Sequence, residues 1–210
     1  MEQNNLEQIS FTEDQIDVLK EFMNIALGQT TASLAEILDA FGTMHIPKVS
    51  IKKVSELRDS MKEVLSDDEL YYVTKQLFSS SFGGECIFLM DTKSAKNLGD
   101  HLFNTENSTT DEISDAVLEI TNIITSTIIS RLTEELDTQV QFFAPATQLL
   151  DSSAIVEVDD ISIYTSVIIV CTMIEFKEQN FYGYIYILTK DEAITSLQKL
   201  IDRKLEELFS

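Results

Sequence analysis

The chain has 210 residues, with 15 Lys plus Arg against 36 Asp plus Glu, for a formal charge of −21. That balance excludes a nucleic-acid groove, in which basic side chains displace counterions from phosphates, and it disfavours an anionic membrane surface. At 44% hydrophobic and 24% charged, with only two prolines and six glycines, the composition suits a real core and leaves little material for a flexible linker.

In chain order, the stretch MEQNNLEQISFTEDQ lacks the basic start and apolar run of a secretory signal, so a cytoplasmic location is expected. Thr12 and Gln15 form a capping box that opens a helix of about twenty-five residues. Strands are expected over 49–54, 71–82 and 85–90, punctuated by Asp67-Asp68 and Gly83-Gly84, and then a helix over 92–103. Residues 104–109 make the joint. A second capping box, Thr109 with Glu112, opens another long helix. It is followed by strands over 153–158, 162–176 and 181–188, turns at Asp159-Asp160 and Gln179-Asn180, and a helix over 190–209. The most apolar stretch, 166–174, is too short to span a bilayer and reads as a buried strand.

Helix, three strands, helix is thus written twice. Short connections favour antiparallel pairing, so the expected fold class is α+β: a pseudo-twofold repeat of helix-β-β-β-helix, with two long helices packed on a largely antiparallel sheet. Residues 1–210 are expected to form one domain with pseudo-repeats at about 11–103 and 109–209, since the runs 168–171 and 185–188 read as interior strands of one shared sheet. A monomer is expected.

The repeat extends to chemistry. Glu21-Phe22-Met23-Asn24 and Glu119-Ile120-Thr121-Asn122 share the pattern Glu-x-x-Asn, 98 residues apart, and each has an Asp four residues earlier, Asp17 and Asp115. After each Asn come 22 residues and then one of the two prolines, Pro47 or Pro145. At about 100° per residue, Asp17, Glu21, Asn24 and Gly28 line one stripe of the first helix, and Asp115, Glu119, Asn122 and Ser126 line one stripe of the second. Solvent demands polarity but not Asp, Glu and Asn in one order twice, and Asn is a poor helix former. The stripes therefore read as docking and reaction surfaces, with Gly28 and Ser126 small enough to admit another surface.

No nucleophile, metal shell or histidine base accompanies the stripes. His45 and His101 stand alone, and Cys86 and Cys171 lie in strand-like apolar runs that suit core packing. An Asn carboxamide donates and accepts at once, so it can hold a water for in-line attack on an activated phosphoryl group. A Glu carboxylate would repel that group and suits a cation on a partner.

These residues resemble the twin signature of the CheC, CheX and FliY phosphatases of bacterial chemotaxis, and the resemblance covers nearly the whole chain. Two motifs in 210 residues favour the CheC type. The resemblance implies accelerated hydrolysis of the aspartyl phosphate on the response regulator CheY, whose receiver domain carries the Mg²⁺, with no cofactor in this chain. Asn24 and Asn122 would orient the attacking water, and Glu21 and Glu119 would pair with the regulator's lysine. Asp17 and Asp115 would contact the regulator's rim or only solvate the stripe. CheD is implied as a further partner. A non-catalytic adaptor that binds phosphorylated regulator or CheD is the competing reading. One departure stands out, for the residue before the motif Asn is often Gly in the family and is Met23 and Thr121 here.

Overall fold

The computed structural model describes residues 11–40, 42–44, 48–53, 56, 59, 61–66, 69–157, 166–189 and 191–208. The expected turns at Asp67-Asp68 and Asp159-Asp160, together with His45 and Pro47, lie outside them.

The first long helix, α1, spans Glu13–Ile37, and its capping box is formed as expected: the Thr12 hydroxyl accepts the Gln15 amide while the Gln15 side chain accepts the Thr12 amide. Short strands β1 (Thr43–Met44) and β2 (Lys48–Lys53) follow, then the hairpin of β3 (Leu70–Ser79) and β4 (Gly84–Asp91), and α2 (Thr92–Leu102). The second half begins with α3 (Thr110–Glu135), which carries the Thr109–Glu112 capping box. It continues through β5 (Gln141–Phe142), β6 (Ala146–Asp151), a short α4 (Ser152–Glu157), the hairpin of β7 (Ser166–Phe176) and β8 (Phe181–Thr189), and α5 (Asp191–Leu208). Moved along by 98 positions, β1 and β2 coincide at both ends with β5 and β6.

Helix ends repeat as well. Asp39 and Asp137 adopt the left-handed conformation just past α1 and α3. In each case the next amide reaches back to a helix carbonyl, Ala40 to Ala35 at 3.1 Å and Thr138 to Thr133 at 2.9 Å, closing a Schellman motif. The carbonyls of Leu38 and Leu136 are then met by the helix that closes the same half, through His101 Nε2 and Arg203 respectively.

Among the described residues eight strands form one antiparallel sheet in the order β1-β7-β8-β4-β3-β5, with β2 also along β7 and β6 also along β3. The expected α+β class and antiparallel sheet are observed. Each half's leading strands therefore pair with the other half's hairpin, and the pseudo-twofold axis passes between β4 and β8. The closing helices exchange too, α2 packing on α3 and α5 on α1.

Strand alternation sorts the core into two layers. Tyr72, Phe78, Cys86, Phe88, Met90, Ile185 and Ile187 face α1 and α3, joining Leu19, Met23, Leu34, Val117, Ile124 and Ile128 in the main cluster. Tyr71, Val73, Ile87, Leu89, Tyr186 and Leu188 face the other way, covered by Met61 and Ile155. Among the described residues α3 is the one helix long and apolar enough to cross a membrane, yet its apolar side is spent on this core, with Val117 and Ile124 fully buried.

One expectation is corrected. The strand expected over 153–158 is instead the helix α4 as far as the described residues reach, and the strand lies just before it, as β6. The Ile155-Val156 pair suggested β structure, but Asp151 Oδ1 accepts the Ala154 amide at 2.9 Å and the Ser153 hydroxyl, a helix-starting cap. Ile155 is buried beneath the sheet, at 3% exposure.

Candidate functional site

α1 and α3 lie against each other over one face of the sheet, and each turns its polar stripe outward. On α1, Asp17, Glu21, Asn24 and Gly28 are all exposed, while Leu19, Phe22, Met23, Ala26 and Leu27 are buried. On α3, Asp115, Glu119 and Asn122 are exposed and Ser126 is half-buried, its hydroxyl bonded to the Ile123 carbonyl at 3.1 Å. Eight residues chosen by spacing thus occupy two outward strips on helices whose opposite faces pack into the core.

Asp17 pairs with Lys20 at 3.1 Å on the surface, a contact of little energetic weight that leaves the carboxylate accessible. Gly28 has no packing reason to be glycine, because a Cβ added there would meet nothing within 4 Å. Met23 and Thr121 are fully buried, and the Thr121 hydroxyl donates to the Val117 carbonyl at 2.7 Å. The departure from the family pattern before each Asn therefore faces the core, away from an approaching partner.

The two asparagines differ in their surroundings. Asn122 Oδ1 accepts from Gln76 Nε2 at 2.9 Å, and the same nitrogen donates to the Phe143 carbonyl at 3.1 Å. Gln76 reaches the helix from β3 and is itself 1% exposed. The Asn24 side chain makes no hydrogen bond among the described residues. Gln76 and the half-exposed Phe143 beside the second stripe were not legible in the sequence, since a lone carboxamide in a strand follows no periodic signal.

Other titratable groups serve structure. Burial pushes the Cys86 thiol up to about 12, so it is an inert core residue. His101 is spent on the Leu38 carbonyl. A cavity of about 790 Å³ opens beside the start of α2 and the β7–β8 turn, lined by Asp91, Ser94, Glu175 and Tyr182 among others, and no stripe residue borders it. There, burial and then the nearby Asp91 push the Tyr182 phenol up to about 12. A smaller cleft of about 300 Å³ lies between Gln29 of α1 and Ser126, Ser130 and Arg131 of α3.

Chemically, each stripe offers a carboxylate and, three residues on, a carboxamide, both open to a partner. Such a pair can engage a cation and hold a water.

No family model and no curated protein sequence matches the chain. Solved structures do. Thermotoga maritima FliY superposes with a TM-score of 0.72 at 16% identity, covering 93% of this chain and 100% of that one. The chain of the H. pylori FliG–FliM complex superposes at 0.63 with 14% identity, over 90% of this chain and 100% of that one. CheX from the Borrelia burgdorferi complex with CheY, BeF3 and Mg²⁺ superposes at 0.55 with 15% identity, over 82% and 99%. At such identities the likeness is one of fold, and it runs through nearly all of each neighbour. The chain has the fold of the CheC, CheX and FliY proteins.

Proposed function

We propose that the protein is a phosphatase for the aspartyl phosphate of a CheY-type chemotaxis response regulator. The observation that carries this reading is the duplicated pair, Glu21 with Asn24 and Glu119 with Asn122, exposed on two helices whose opposite faces are buried. Water attacks phosphorus in line, the bond to the aspartyl oxygen breaks, and the regulator's carboxylate leaves as inorganic phosphate departs with the water's oxygen. Phosphoryl transfer asks chiefly for positioning and charge stabilisation. Asn24 and Asn122 position the water, Glu21 and Glu119 pair with a lysine of the regulator, and the Mg²⁺ belongs to the regulator's receiver domain. Gly28 and Ser126 give clearance, and Asp17 and Asp115 border the approach. A fold neighbour solved with CheY, BeF3 and Mg²⁺ supports a partner of that kind. The same reading places the protein in the cytoplasm, with CheD as a second partner.

A non-catalytic adaptor is the second reading, favoured by the likeness to the chain solved in the FliG–FliM complex, at a TM-score of 0.63. The deciding experiment follows phosphate loss from phosphorylated CheY with the native chain, Asn24→Ala, Asn122→Ala and both together, with binding measured in parallel. Phosphatase action requires that the native chain speed hydrolysis and that the double variant bind without doing so. Binding of the native chain with no acceleration establishes the adaptor instead.

A further inference from the structure

We propose that Gln76 is a positioning residue that sets the direction of the Asn122 carboxamide, so that the second stripe is pre-organised and the first is not. The functional meaning of this rests on the phosphatase reading; the geometry does not.

Hydrogen-bond logic fixes the direction. The Phe143 backbone carbonyl can only accept, so the end of the Gln76 side chain at 3.1 Å from it is the nitrogen. That nitrogen's other proton needs an acceptor, and the group at 2.9 Å on Asn122 is therefore the oxygen. Phe143 is anchored in turn, its amide donating to the Leu77 carbonyl at 3.0 Å, so the reference carbonyl is tied to β3 itself. From sheet to helix, the chain of bonds leaves Asn122 Nδ2 and one lone pair of its oxygen for whatever approaches the exposed stripe.

Stability alone does not call for this glutamine. Its Oε1 is buried with no hydrogen-bond partner among the described residues, a cost that an aliphatic side chain would not carry. Tyr72, Thr74 and Phe78, its neighbours along the same face of β3, are all buried, so Gln76 occupies a core position and directs its donor at the motif asparagine. In the repeat, the pairing of Lys48 with Cys171 matches that of Ala146 with Lys75, which sets Thr172 at the position of Gln76. That position, on the second half's hairpin, holds no carboxamide. Asn24, accordingly, must be ordered by the partner when it binds, whereas Asn122 is ordered beforehand.

The test uses Gln76→Met, unbranched and of similar length but without a donor, in two chains that each keep one stripe. In the Asn24→Ala chain, Gln76→Met is expected to lower kcat for hydrolysis of phosphorylated CheY by about 10- to 100-fold with little change in KM. In the Asn122→Ala chain it adds no further loss. A purely structural role would lower both chains alike, and that result overturns the proposal. Side-chain ¹⁵N relaxation of the native chain decides the geometry without any variant or turnover. An Asn122 carboxamide more rigid than that of Asn24, released by Gln76→Met, supports positioning; equal mobility in the native chain overturns it. Should both asparagines prove dispensable for hydrolysis, the phosphatase reading fails, while the relaxation result still settles whether Gln76 orients Asn122.

Discussion

Gln15 joins the two halves of the chain through one carboxamide: its Oε1 accepts the Thr12 amide at 2.9 Å, and its Nε2 donates to Asp202 Oδ1 on α5 at 2.6 Å. In the second half the matching residue, Glu112, turns both of its contacts on Thr109. The same cap position is thus local in one half and a tether in the other.

Substituting Gln15→Glu would copy the second half and keep the capping box, yet set a carboxylate against Asp202. It is expected to destabilise the protein by about 1–2 kcal/mol near neutral pH. The loss should shrink in acid as one of the carboxyls takes a proton and can donate to the other. Chemical denaturation at two pH values checks this, and a variant as stable as the native chain removes the tether's importance.

Gly28 separates stability from function. With open space where a Cβ would go, Gly28→Ala is expected to raise stability by about 0.5–1 kcal/mol through helix propensity. On the proposed function it also slows hydrolysis at the first stripe, read in the Asn122→Ala chain, because the regulator loses clearance. Thermal denaturation and turnover on one preparation test both halves of the statement; undiminished turnover means that the glycine is not kept for a partner.

The joint between the halves has its own electrostatics. Lys96 bonds Asp100 and the Glu106 carbonyl, and Asp100 accepts the Ser108 amide at 2.8 Å. The Lys96 bond first, and then the Ser108 amide, hold the Asp100 carboxyl down at about 2, below its ordinary 3.8. A depressed carboxyl favours the folded state when ionised, so this contribution is complete above 3.8 and fades as pH falls through about 2. Carboxyl ¹³C titration should find that midpoint, and Lys96→Met should move it upward without reaching 3.8, because the Ser108 amide remains.

Cys86, buried at 1% exposure with its thiol pushed up to about 12, is expected to resist alkylation at mildly alkaline pH. In a Cys171→Ser chain, mass spectrometry should show modification only once denaturant is added. Rapid labelling of the native chain would mean that β4 opens readily.

What could be read before folding was local. Capping boxes, helix lengths and the polar stripes depend on residues within a turn or two of each other, and the duplication printed each signal twice. The two-residue strands β1 and β5 carry too little pattern to detect. β6, with the sequence ATQLLD, pairs with β3 across the halves, so nothing in its own residues announces a partner. At 152–157 a cap formed by Asp151 outweighed the β preference of Ile155 and Val156. Gln76 became visible only when β3 was laid beneath α3, because its meaning lies in Asn122, 46 residues away.

The exchange of leading strands also dictates an order of events as the chain is made. β3 can take β6 while the second half is still emerging, but β2 must wait for β7, from Lys48 to Cys171, before its ladder closes. Until then its strand-pairing backbone groups await β7, available to a neighbouring nascent chain. The long-range closure makes the first half, though the earlier to be synthesised, the later to be sealed.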